Sequence, residues 1–319
     1  MNILYGTDGS EGAGIAGRLL ARPSLSADTR ITVLSAVAPL GWLATMPLEG
    51  TIGAEGTFYP QLAEIVAEEQ AAAREAARAA AAALQDRGAP VTACVRQQAP
   101  AEAILEQARE DGAELIVVGS HGMGAVERFL LGSVSERVAR YAHCSVLVAR
   151  GDTLRRAIVA VDGSESAEHA LDALLRLPLP AEMEITLVYV LRPDALPPAL
   201  QLGPGFSGGA MIDEYEQQYH TLGEQIVQHA QAHLHHAGRE AATEVRRGAP
   251  AEELIAAARE AGADLIVVGA ANKSALGRLF LGSVSSRVLS HAPCSVMVAR
   301  STKGNETDKG AQHEGDGPA

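Results

Sequence analysis

Leu115-Ile116-Val117-Val118-Gly119-Ser120-His121-Gly122 is the stretch that decides the fold. Four apolar residues, three of them β-branched, run without polar alternation into a Gly-Ser-His-Gly turn. A strand apolar on both faces belongs in a parallel sheet covered by helices on either side. After Gly122, nine intervening residues lead to Gly132 and Ser133, where a helical pattern over 133–142 begins, with Ser133 read as its N-cap. Glycines at the carboxyl end of a parallel strand let the backbone turn tightly and let phosphate oxygens approach the amides. The following helix N-terminus adds free N–H groups and a partial positive charge. Ser133 and Ser135 can add hydroxyl donors. The plainer alternative is a glycine-rich turn ahead of an ordinary serine cap. Recurrence of the whole pattern favours an anion-binding loop.

That recurrence is an internal repeat. Leu115 to Gly119 returns as Leu265-Ile266-Val267-Val268-Gly269, Leu131-Gly132-Ser133-Val134-Ser135 as Leu281-Gly282-Ser283-Val284-Ser285, and Cys144-Ser145-Val146 as Cys294-Ser295-Val296. Asp8-Gly9-Ser10-Glu11 returns as Asp162-Gly163-Ser164-Glu165. So long a period means two copies of one domain, expected over 1–150 and 151–300. The polar, Gly-rich residues 301–319 are expected to form a disordered tail.

In copy one, strands are expected at 2–8, 30–37, 91–96, 114–119 and 145–149, and helices at 11–22, 61–87, 100–111 and 133–142. Gly88 ends the Ala-rich helix, while Pro100 and Pro250 sit at first-turn positions. With right-handed crossovers the class is α/β: two tandem, doubly wound, open parallel-sheet domains of Rossmann-like form. Strands 145–149 and 295–299 are expected at sheet edges, with unpaired backbone groups that need covering, and the two halves are expected to pack together as an internal pseudo-dimer. The Gly- and Pro-rich segments 38–60 and 192–212 resist assignment.

Composition narrows the class. The 319 residues are 47% hydrophobic and 20% charged, and 26 Lys and Arg against 39 Asp and Glu leave a net charge of −13. Neither nucleic acid nor an anionic membrane is an expected partner. The N-terminus lacks the pattern of a secretion signal and no apolar run is long enough to span a bilayer, so a cytoplasmic location is expected. Three cysteines, Cys94, Cys144 and Cys294, form no disulfide framework and read as buried thiols.

Asp8 and Asp162 each end a first strand, near the crevice where open α/β sheets bind ligands. A carboxylate there can accept from a ribose hydroxyl or an adenine amino group, or bind a phosphate-held divalent cation; it can also form an Asx-turn. Gly12-Ala13-Gly14-Ile15-Ala16-Gly17 spells G-x-G-x-x-G, but it falls inside a helix and copy two lacks it, which argues against NAD. His229, His233 and His236 share a helix face and read as solvated, not as metal ligands. No hydrolytic triad presents itself.

In these residues the chain resembles the universal stress protein family in its tandem form, over nearly all of residues 1–300. The features that carry the likeness are Asp-Gly-Ser after strand one, Leu-Ile-Val-Val-Gly, and Gly-x-x-Gly-x9-Gly-Ser running into Val-Ser. The resemblance implies five-stranded sheets of the adenine nucleotide alpha hydrolase type. In the nucleotide-binding branch it implies ATP, or ADP or AMP, with a divalent cation such as Mg on the phosphates. It places Asp8 and the backbone near Ala36 toward the nucleoside, and Gly119, Gly122, Gly132, Ser133 and Ser135 on the ribose and phosphates. Asp162, Gly269, Asn272, Gly282, Ser283 and Ser285 would form a weaker second site, because Asn272 replaces the second glycine and Ala271 stands opposite His121. Such proteins act in stress responses and signalling, with feeble hydrolysis at most, and no arginine-finger device is recognisable here. Two other readings stand beside it: a ligand-free interaction module of the family, and an adenylating enzyme, whose Ser-Gly-Gly-x-Asp-Ser loop Thr7-Asp8-Gly9-Ser10 does not supply. A homodimer is compatible with either family reading.

Overall fold

The computed structural model describes residues 1–22, 26–39, 60–122, 131–177, 180, 182–192, 209–270 and 281–301. The two unassigned segments lie almost wholly outside the described residues; Ala271, Asn272 and the tail beyond 301 lie outside them too. Copy one runs β1 (Asn2–Gly6), α1 (Glu11–Ala21), β2 (Arg30–Val37), α2 (Pro60–Ala82), β3 (Val91–Gln97), α3 (Pro100–Glu110), β4 (Leu115–Gly119), α4 (Ser133–Tyr141) and β5 (Ser145–Ala149). Copy two repeats the order: β6 (Arg156–Ala160), α5 (Glu165–Arg176), β7 (Glu184–Leu191), α6 (Gly209–His236), β8 (Ala242–Arg247), α7 (Pro250–Ala261), β9 (Leu265–Gly269), α8 (Ser283–His291) and β10 (Ser295–Ala299).

The two halves share one ten-stranded sheet, in the order β3-β2-β1-β4-β5-β10-β9-β6-β7-β8. Pairing is parallel within each half and antiparallel at the joint, where Val148, Leu147 and Val146 of β5 face Val296, Met297 and Val298 of β10. Each half's open edge is thus satisfied by the other's. Alternation along the strands feeds two core layers. Ile3, Tyr5, Val117, Leu147, Met297 and Val267 face one side, while Leu4, Ile116, Val146, Val296 and Ile266 face the other. Both layers run unbroken through the joint.

Local signals explain the element ends. Ser10 and Ser164 cap α1 and α5 by accepting the amide protons of Ala13 and Ala167. Pro100 and Pro250 occupy the first turns of α3 and α7. The chain leaves α2 through a short 3-10 turn (Gln85–Arg87) and Gly88, whose φ of 88° only glycine adopts cheaply. One expectation is corrected. The N-caps of α4 and α8 are Gly132 and Gly282, in extended conformation, and Ser133 and Ser283 are the first helical residues.

Candidate functional site

Strand order reverses beside β1, with β2 on one side and β4 on the other, and there the carboxyl ends part to open a crevice. A cavity of about 460 Å³ fills it. Every copy-one residue singled out in the sequence lines it: Asp8, Ala36, Gly119, Gly122, Gly132, Ser133 and Ser135. Leu34, Ile104, Val118 and Val134 supply apolar walls, of which Leu34 and Ile104 lie outside the sequence motifs. Apolar walls with a few converging polar groups are what a pocket for a ring-bearing, charged small molecule requires.

The polar side is built from local geometry. Asp8 accepts the Ser10 amide proton at 3.0 Å, which fixes its carboxylate at the end of β1; Asp162 does the same with Ser164 at 3.0 Å. The Asx-turn and the cavity-lining position coexist in Asp8. Gly122 lies against this carboxylate, since a Cβ there would stand 2.4 Å from Asp8 Oδ2. Its φ is not positive, so glycine is required for room and not for a left-handed backbone. The described ends of the loop are pinned: the Ser120 amide donates to the Ala149 carbonyl at 2.9 Å and the Gly132 amide to the Ser120 carbonyl at 2.7 Å. His121 Nδ1 lies 2.9 Å from Ser120 Oγ.

Two site expectations change in kind. Ser135 is buried and its hydroxyl donates to the Gly119 carbonyl at 2.7 Å, as Ser285 does to Gly269 at 2.7 Å. A hydroxyl has one proton, so Ser135 ties α4 to β4 instead of donating that proton into the cavity. Gly119 likewise serves close packing, because a Cβ would fall 2.4 Å from Gly12 C and 2.5 Å from its carbonyl oxygen. What α4 presents to the cavity is its first turn, whose amides have no intrahelical partner.

The same contacts account for the G-x-G-x-x-G stretch. It lies within α1, where a Cβ on Gly12 would sit 2.2 Å from the His121 carbonyl oxygen. A Cβ on Gly17 would sit 2.8 Å from the hydroxyl oxygen of Tyr5, which donates to the Ala13 carbonyl at 2.6 Å. These glycines let a helix approach a strand and a loop.

In copy two, Gly269 packs against the Ser166 carbonyl oxygen, 2.3 Å from its virtual Cβ, and Gly282, Ser283 and Ser285 repeat the α4 geometry in α8. A separate cavity of about 260 Å³ lies between α5 and α6, lined by Gly163, Ser164, Glu168, Ile226, His229 and His233. His233 Nε2 meets Asp172 Oδ1 at 3.0 Å, and among the described residues no cluster of three metal-ligating side chains forms. The thiols of Cys144 and Cys294 are pushed up to about 12 by burial. Among the described residues no helix is long and apolar enough to cross a membrane.

Comparison with known proteins agrees with the fold and its repeat. The model of the Universal stress protein family matches residues 1–150 and again 153–300. A universal stress protein of Mycolicibacterium smegmatis is 28% identical over 321 residues, covering 93% of this chain and 96% of its own. One from Bacillus subtilis is 32% identical over 143 residues, 45% of this chain and 97% of its own. The crystal structure of a universal stress protein from Archaeoglobus fulgidus superposes with a TM-score of 0.61 at 19% identity, over 94% of this chain and 98% of that one, and so shares the fold. A repeated strand–turn–helix unit, a joint through the last strands and two successive matches to one family model have a single reading: the chain is a tandem member of the universal stress protein family.

Proposed function

We propose that this protein binds an adenine nucleotide in the copy-one cavity and uses its occupancy as a regulatory signal in stress responses, with at most slow hydrolysis. The observation that carries the reading is the cavity at the β1–β4 reversal, with Asp8 on one wall and the first turn of α4 on another. Asp8 supplies an acceptor for ribose hydroxyls or the adenine amino group. The α4 amides suit phosphate, and a Cβ at Gly122 would fill the space beside Asp8 that a ribose hydroxyl or a phosphate-held cation would take. ATP with Mg is the favoured form, and ADP or AMP satisfies the same contacts. Bound phosphates would bring the divalent cation.

Asp8 and His121 are the titratable side chains among the described residues lining the cavity. Asp8 is held in its turn and His121 Nδ1 faces Ser120 Oγ. Copy two keeps Asp162, Gly269, Gly282, Ser283 and Ser285 but carries Asn272 and Ala271, and is proposed as the weaker site. Native mass spectrometry of the purified protein tests the reading. Mass increments of one adenine nucleotide are expected, lost in Asp8→Ala; a chain that neither retains nor takes up nucleotide overturns it.

A further inference from the structure

Arg150 and Arg300 follow the last strand of each copy, at equivalent positions. Each crosses the joint. The Arg300 amide donates to Ser145 Oγ at 3.1 Å, and Nη2 reaches the carbonyls of Ala139 at 2.8 Å and Arg140 at 3.0 Å, at the C-terminal end of α4. The Arg150 amide donates to Ser295 Oγ at 3.1 Å, and its guanidinium reaches the carbonyls of Leu289 at 2.6 Å and Cys294 at 3.3 Å, at the end of α8 and the turn beyond it.

Arg300 is only 8% exposed, and its Nε and Nη1 find no hydrogen-bond partner among the described residues; the same holds for Arg150 Nε. Among the described residues neither arginine pairs with a carboxylate. Burial holds Arg300 down to about 10 and shifts Arg150 in the same direction. A buried cation without a counter-ion is costly, and what faces it is the negative end of a helix dipole. Joining two sheets does not require that cost, because β5 and β10 already pair through their backbones.

The helices so gripped are the ones that begin at the anion-facing turns. α4 is nine residues long, about 13 Å at 1.5 Å per residue, with its first turn in the cavity and its last under Arg300. We propose that Arg300 positions α4 and Arg150 positions α8, so that the ligand site of each copy is completed by a residue of the other. The ligand rests on the reading above; the positioning rests on the contacts alone.

The test is crossed. Hydrogen exchange of α4 and α8, with calorimetric titration of Mg-ATP, is measured on the full chain and on Arg300→Met and Arg150→Met. Arg300→Met is expected to speed exchange of the hydrogen-bonded α4 amides from Glu136 on and to weaken copy-one affinity by roughly fivefold or more. Arg150→Met is expected to speed exchange in α8 and leave copy-one affinity within about twofold. Arg300→Lys, which keeps the cation but not the fork, carries the same crossed comparison if the Met variant does not fold. Equal effects of both arginines on α4, or none, would overturn the proposal. An unmodified chain that binds no Mg-ATP would remove the nucleotide reading, and the crossed exchange pattern would still decide the positioning claim.

Discussion

Gly122→Ala separates binding from stability at the candidate site. The new Cβ would stand 2.4 Å from Asp8 Oδ2, against the about 3.5 Å at which non-bonded heavy atoms settle. The contact is with the end of one side chain, not with backbone, so the carboxylate yields by roughly 1 Å and the fold survives. That retreat disturbs the 3.0 Å bond from the Ser10 amide and carries Asp8 away from where it meets a ligand. The stability cost is expected to stay below about 1 kcal/mol, as for a surface change. Loss of one charge-assisted hydrogen bond costs about 1.5–3 kcal/mol, or roughly ten- to a hundredfold in affinity. Calorimetric titration with Mg-ATP beside a denaturant melt reads both quantities. A folded variant with undiminished affinity would refute the role given to Asp8 and to the space beside it.

Gly119→Ala should do the opposite. Its Cβ meets Gly12 and Ala13 backbone at 2.4 to 2.7 Å, so overpacking of about 1–3 kcal/mol or more should appear in chemical denaturation. Asp264 governs part of the acid stability: burial pushes its carboxyl up, but the Thr153 hydroxyl, the Arg155 and Arg156 amides and the Arg155 guanidinium hold it below its ordinary value. That stabilisation is present above the unfolded carboxylate value near about 3.9 and is lost as pH falls through the folded one. Asp264→Asn should therefore lower Tm at neutral pH and flatten its decline between about pH 5 and 3. The two sites should be unequal in titration, and Asn272→Gly should strengthen the weaker one alone; two equal sites in the unmodified chain would show that Asn272 does not weaken copy two.

The strand–turn–helix unit was legible because its signals are local. A short, β-branched apolar run ending in glycine reads as a covered parallel strand turning sharply, and recurrence after 150 residues points to a second domain. Asp8 and Gly132 are far apart in the chain; sheet topology set Asp8 near a crevice, and the family resemblance turned both residues toward one nucleotide. Three details were not legible, two of them because they depend on contacts between distant segments. A Gly-Ser pair at a helix start does not say which of the two is the cap, and here it is Gly132. Ser135 reads as a donor to ligand until the fold brings the Gly119 carbonyl within 2.7 Å of its hydroxyl. The glycines at 12 and 119 look like ligand glycines when read singly, and each is explained by the backbone of another segment. Arg150 and Arg300 gave a signal that was available, an arginine after an Ala-ended strand in both copies. A charge at a strand end ordinarily points to solvent, and only the joint turns it inward.

A crystal structure grown with Mg-ATP measures directly where the nucleotide's phosphates sit. Phosphate oxygens are expected within hydrogen-bond distance of the first-turn amides of α4, Ser133 to Ser135, with the nucleoside reaching Asp8 and Ala36. Nucleotide bound elsewhere on the chain, or an empty copy-one cavity at saturating Mg-ATP, would contradict this placement.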